Sequence, residues 1–183
     1  MSIQRKSVLA LGVIGLGIAL SAPALAVNAV GPYYATPAWD QKLPSDTRFI
    51  VLTNWNSEAV LDRETGLVWE KVPTTSTSTW FDASAHCISL NLGGRKGWRL
   101  PVIQDLASLM DPNQSDPALP SGHPFTLSGA FPIAYWSATT NAGDVTVARI
   151  VSFGTGSIGS ASKAGSFRTL AWCVRGGQGV DPQ

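Results

Sequence analysis

Apolar positions between residues 79 and 109 fall at helical spacing on either side of one short extended rung. Trp80, Ala83, Cys87 and Leu90 recur at steps of three, four and three, the stripe of an amphipathic helix. Thr79 is the predicted N-cap, because its hydroxyl can accept a backbone N–H of the first turn, where Asp82 suits the positive end of the helix dipole. Gly93-Gly94 is the predicted stop, since glycine takes the left-handed position after a helix without strain. Trp98-Arg99-Leu100 then reads as extended, held by Pro101, which pushes the residue before it out of the α region. A second helix is predicted beyond it, with Ile103, Leu106 and Leu109 or Met110 inward.

The flanks read as strands. Residues 49–52, 59–61 and 67–69 are short apolar runs, and 62–66 is a tight connection in which Asp62 can bond the backbone ahead and Gly66 can take positive φ. Residues 73–78 form a Ser/Thr loop leading into the first helix. Residues 111–132 carry five prolines and no periodicity, and loops of that length in compact domains are usually functional or mobile. A strand resumes at 135–138 and turns at 141–144. Residues 145–153 alternate, with Val145, Val147, Val151 and Phe153 on one face and Arg149 interrupting them. Residues 154–165 read as a Gly/Ser tip with one cation, Lys163. Residues 167–175 are the predicted closing strand, in which Leu170, Trp172 and Val174 share one face and Phe167, Thr169, Ala171 and Cys173 the other. Helices grouped between runs of strands predict an α+β domain.

The N-terminus changes the compartment. Arg5 and Lys6, an uncharged apolar run at 8–20 and Ala24-Leu25-Ala26 predict a signal peptide over residues 1–26. The run is short of the roughly 20 residues a spanning helix needs. The expected product is exported, periplasmic or secreted to the cell surface, with no membrane span. Cleavage removes two cations and no acid, which turns the net charge from +1 to −1. A basic field for nucleic acid is therefore missing. Residues 27–47 are a proline-containing leader, either flexible or packed through Tyr33, Tyr34 and Trp39; residues 178–183 are a tail.

Candidate chemistry is sparse. Two cysteines in an exported chain are most simply one disulfide, Cys87 to Cys173; two buried free thiols are the other reading. No His/Cys/Asp/Glu spacing for zinc, nucleophile–base motif or phosphate loop is present, so no catalytic residue and no cofactor is expected. Asp111, Asn113 and Asp116 are candidate oxygen ligands for Ca²⁺, against Asx turns beside Pro112 and Pro117. With His123 and Lys163 they make up the candidate ligand contacts, on the 111–132 loop and the 154–165 tip, because loops on a rigid scaffold commonly carry binding. Trp98 and Trp136 are expected in the core, and Arg99 as a structural cation bonding loop carbonyls.

Five motifs in order carry a resemblance: residues 61–70 with Trp69, residues 80–83 with Cys87, Gly97-Trp98-Arg99-Leu100-Pro101, Tyr135-Trp136-Ser137, and Cys173-Val174-Arg175-Gly176. Together they resemble the Lcl C-terminal domain family over residues 48–177. The resemblance implies a C-type-lectin-like fold, with two helices packed on small twisted antiparallel sheets and long irregular loops. It also implies that the cysteines form that fold's disulfide from helix to last strand. The sugar-binding triplets of calcium-dependent lectins do not occur here. The expected function is a non-catalytic binding or adhesion module for a glycan or an extracellular protein. An enzyme of the formylglycine-generating branch and a structural subunit of a surface assembly are the alternatives. Oligomeric state is left open by the sequence.

Overall fold

The computed structural model describes residues 43–127, 134–165 and 169–176, all within the unit that begins at Tyr34. The signal peptide, most of the leader and the tail lie outside the described residues, as do Phe131 and Phe167. In chain order, α1 (Ser45–Arg48) runs into β1 (Phe49–Val51), and a 3-10 turn at Thr53–Trp55 precedes β2 (Ala59–Asp62) and β3 (Val68–Glu70). Then come α2 (Trp80–Ser89), β4 (Trp98–Arg99), α3 (Ile103–Ser108), β5 (Ala134–Asn141), β6 (Asp144–Ser152), β7 (Ser157–Ser162), β8 (Thr169–Leu170) and β9 (Val174–Arg175). The fold is α+β, with two sheets of order β1-β2-β3-β9-β4 and β7-β6-β5-β8.

Local chemistry accounts for the ends of several elements. Thr79 Oγ1 accepts the Asp82 N–H at 3.2 Å and caps α2. Asp62 Oδ1 accepts the Glu64 N–H at 3.0 Å, and Gly66 sits at φ +69°, which closes the β2–β3 hairpin. At the other end α2 is shorter than its stripe suggests. Leu90 is already extended, its N–H on Cys87 O. Gly93 and Gly94 are therefore not the helix stop; they form the turn of a bridge between Leu92 and Arg95. Gly93 is required there, since a Cβ would collide with Trp55.

Four further expectations need correction. The 154–165 tip contains β7, which pairs with β6 in unbroken register from Ser157↔Ser152 to Ser162↔Val147. In β6 the inward residues are not one alternating set, because both faces are covered. Val151, with Phe153 just past the strand, enters one core, Ala148 and Ile150 the other, and Val145 is 73% exposed beyond both. The closing strand is two short strands in different sheets, split by residues 171–173. The second sheet is also not purely antiparallel, because β8 runs parallel to β5.

The split strand separates two cores. Leu170, Trp172 and Val174 point into an aromatic core with Trp69, Phe125, Tyr135 and Phe153. Trp172 is its hub, with ring centroids 5.0–5.5 Å from those four aromatics. Ala171 and Cys173 point the other way, into a core of Ala59, Ala83, Cys87, Trp98, Leu100, Trp136 and Ala148. The predicted alternation on 170–174 is correct, with both faces buried. Beside the aromatic core, Arg48 is buried and bonds Asp62 through two atoms at 2.9 and 2.8 Å and Ser108 O at 2.8 Å. Among the described residues no helix is long and apolar enough to cross a membrane.

Candidate functional site

Residues 74–78 lie across the chain segment that carries Cys173. Thr74 fixes one end: its N–H and hydroxyl both reach Ala171 O, and its Oγ1 accepts the Ala171 N–H at 2.9 Å. Ser78 N–H fixes the other on Thr169 O at 3.0 Å. Thr75, Ser76 and Thr77 are left exposed between these anchors. Helix α2 follows at once, and Asp82 and His86, four residues apart, share one side of it. Loop, helix and Ala171 together enclose a groove of about 420 Å³. Among the described residues its lining is hydroxyl-rich and carries no lysine or arginine.

Two polar atoms of this lining are buried and have no hydrogen-bond partner, Ser78 Oγ and His86 Nε2. A buried polar atom left unpaired costs about 1–3 kcal/mol, so each such atom asks for an explanation. Two more occur among the described residues. Glu64 Oε2 is still 3.5 Å from Arg48 Nη1, and Trp69 Nε1 belongs to a ring enclosed in the aromatic core. The pair that shares an opening to solvent is Ser78 and His86.

Behind His86 stands Glu70. Its carboxylate accepts the Cys173 N–H at 3.2 Å. Burial pushes its pKa up to about 7, and the Cys173 N–H opposes the rise. A ligand-capable atom of each of Glu70, His86 and Cys173 lies within 4.8 Å of the other two. A second groove, of about 280 Å³, reaches Glu70 from Glu58, Lys71 and Leu92. The disulfide Cys87–Cys173, with Cα atoms 5.4 Å apart, closes the wall and leaves neither cysteine free.

The residues singled out from the sequence fall into two sets. The framework set lies in the core or bonds the loops around it. Trp69, Trp98, Leu100 and Trp136 are buried, as is Pro101. Arg99 bonds Gly176 O, Leu100 O and Asp105, while Arg175 bonds Lys96 O and lies over the Trp55 ring. The ligand set is not brought to one place. Asp111 Oδ1 accepts the Asn113 N–H at 2.9 Å, an Asx turn. Asp116 is exposed, with its N–H on Gly154 O, so this part of the loop lies against the turn after β6. His123 stacks on Phe125, and its Nδ1 accepts the Phe125 N–H, while burial lowers its pKa. Lys163 sits elsewhere, its Nζ bonded to Thr140 Oγ1 and 4.6 Å from the Trp80 ring centre.

The spacing of residues along the chain does not group Glu70, Ser78, Asp82 and His86, which the fold brings to the two grooves. One signal points to the last three: an unbroken run of six hydroxyl residues, 74–79, ahead of a helix that carries an acid and a histidine at a four-residue step. A family model described as the Lcl C-terminal domain matches residues 58–175, a span that contains the first groove, the disulfide and all of the second groove's lining except Ser57. No curated protein matches the chain.

Proposed function

The chain belongs to the Lcl C-terminal domain family, and from that premise we propose that it is an exported, non-catalytic binding module that takes a glycan in the 74–78/α2 groove. One observation carries the reading: Ser78 Oγ and His86 Nε2 are buried and unpartnered in the lining of one open, hydroxyl-rich groove. A saccharide hydroxyl donates and accepts, so it can satisfy atoms of either kind. With Asp82 in the lining and no lysine or arginine among its described residues, the groove suits neutral or amino sugars over sulfated ones. The disulfide occupies both cysteines, which supports a module over a thiol enzyme.

The proposed fold within α+β is C-type-lectin-like. Supporting it are the two principal helices, the two small sheets and a disulfide from α2 to the segment leading into the last strand. Export is proposed from the sequence of residues 1–26, and N-terminal sequencing of the secreted product tests it.

A glycan array carrying neutral, amino and sulfated sugars tests the function, run with and without Ca²⁺. Binding to neutral or amino sugars that is lost in Ser78→Ala and Asp82→Asn supports the groove. Binding confined to sulfated sugars, or none at all, overturns the reading. Phe81 and Ile88, 60% and 69% exposed on α2, favour a surface protein as the second kind of partner.

A further inference from the structure

We propose that Glu70, His86 and the two cysteines form a latent zinc-type metal site, opened when the disulfide is reduced. The donors come from three separate elements. Glu70 ends β3, His86 and Cys87 lie on α2, and Cys173 lies between β8 and β9. The donor atoms of Glu70, His86 and Cys173 already lie within 4.8 Å of one another. Zinc bonds of about 2.0–2.3 Å in a tetrahedron put donors about 3.3–3.8 Å apart, so these three need an inward shift of about an ångström, and Cys87 takes the fourth position by moving away from Cys173 once the bond between them is open.

Each donor also lacks what a cation would supply. His86 Nε2 is buried and unpartnered. Glu70 is 7% exposed, and its carboxylate faces the backbone N–H of Cys173, with no cation among the described residues bonded to it. In the oxidised protein the set is incomplete, because a disulfide sulfur is a neutral, poor donor while the thiolate is the metal ligand. Reduction changes the count. Two electrons and two protons from an external dithiol break the Cys87–Cys173 bond and leave the dithiol as its own disulfide. Both protein thiols are then freed at one point. Divalent zinc displaces their protons and is held by two thiolates, an imidazole and a carboxylate, four donors of the kinds zinc takes.

Access is available from both sides, since His86 lines one groove and Glu70 the other. The metal would join the same elements that the covalent bond joins, plus β3. The protein then has two interchangeable staples, one oxidised and one metal-bound. This inference does not depend on the glycan reading, because its test uses metal and reductant alone.

The test titrates Co²⁺ into the full chain, oxidised and dithiol-reduced, and then displaces it with Zn²⁺. The reduced chain should bind one Co²⁺ with thiolate-to-cobalt charge-transfer bands that Zn²⁺ abolishes, and the oxidised chain should show no such bands. Glu70→Gln keeps an acceptor for the Cys173 N–H, and His86→Ala leaves the cysteines in place. Each should weaken the reduced site by at least the roughly tenfold that loss of an outer-shell partner costs. Circular dichroism follows the fold throughout. Absence of the bands, unchanged affinity in both variants, or a reduced chain that unfolds and is not restored by Zn²⁺ overturns the proposal.

Discussion

The two cores that share residues 170–174 are built from opposite materials. One is a mesh of large rings around Trp172, bordered by the buried Arg48–Asp62 pair. The other is made mainly of small side chains, two tryptophans and a disulfide, and its edge is penetrated by grooves that reach His86 and Glu70. Rings of this size bury about 150–250 Å² each and interlock without room for a ligand. Alanines and cysteines bury less and leave space, which the covalent staple and the clamped 74–78 loop enclose. On the proposed function, stability rests with the aromatic core and recognition with the core of small residues.

Trp172→Ala strikes the first core at its hub and should be the most damaging change. It should cost about 3–5 kcal/mol, the usual range for a buried aromatic truncated to alanine, read as a fall in the denaturant midpoint. A midpoint within error of wild type would remove the contrast between the cores. Cys87→Ser opens the staple of the second core. It should cost about 2–5 kcal/mol, the usual effect of losing a native disulfide, checked by thermal unfolding. A loss larger than that of Trp172→Ala would reverse the assignment.

Glu70 allows a sharper comparison, because its effect depends on pH. Its folded pKa of about 7 lies above the ordinary 4.5, so the native state holds a proton that the unfolded chain gives up earlier. Stability from this group is fully present below pH 4.5 and is lost as pH rises to 7. A tenfold change in proton affinity is worth about 1.4 kcal/mol, so the loss is on the order of 3 kcal/mol. Glu70→Gln, which cannot ionise, should flatten this part of the profile and leave the protein more stable than wild type at pH 8. An unchanged slope between pH 4.5 and 7 would contradict the burial of this carboxylate.

Ser78→Ala should have the smallest effect on folding and a large one on binding. It removes a buried hydroxyl that has no partner, so stability should stay level or rise by about 1 kcal/mol, while affinity for the sugar falls. A clear loss of stability would show that Ser78 Oγ has a structural partner and no vacancy for a ligand.

The framework was legible where local chemistry decides the outcome. The Thr79 cap, the Asp62–Gly66 hairpin and the alternation on 170–174 each follow from neighbours in sequence, and so does the extended rung before Pro101. Strand β7 was not legible. Ser-Ile-Gly-Ser-Ala-Ser has little intrinsic strand preference, and its structure comes from pairing along six residues of β6. The end of α2 was hidden in a similar way, because Gly93 answers to Trp55, far upstream in the chain. The site was less visible still. Glu70 meets His86 only because β3, α2 and the 171–173 segment converge, and a buried unpartnered atom cannot be read from composition. The long 111–132 loop drew attention by length and proline content. Yet within its described part Asp111 makes an Asx turn and His123 packs inward on Phe125.

The most direct test of glycan recognition by the groove is the footprint of the bound sugar on the protein. Backbone amide shifts of the isotope-labelled chain should be recorded while the strongest neutral or amino sugar from the array is titrated in. The expected result is a set of shifts concentrated at residues 74–78, 82, 86 and 171, with the aromatic core silent. Shifts confined to residues 111–127 and the turn at 153–156 would contradict the assignment and move recognition to the proline-rich loop.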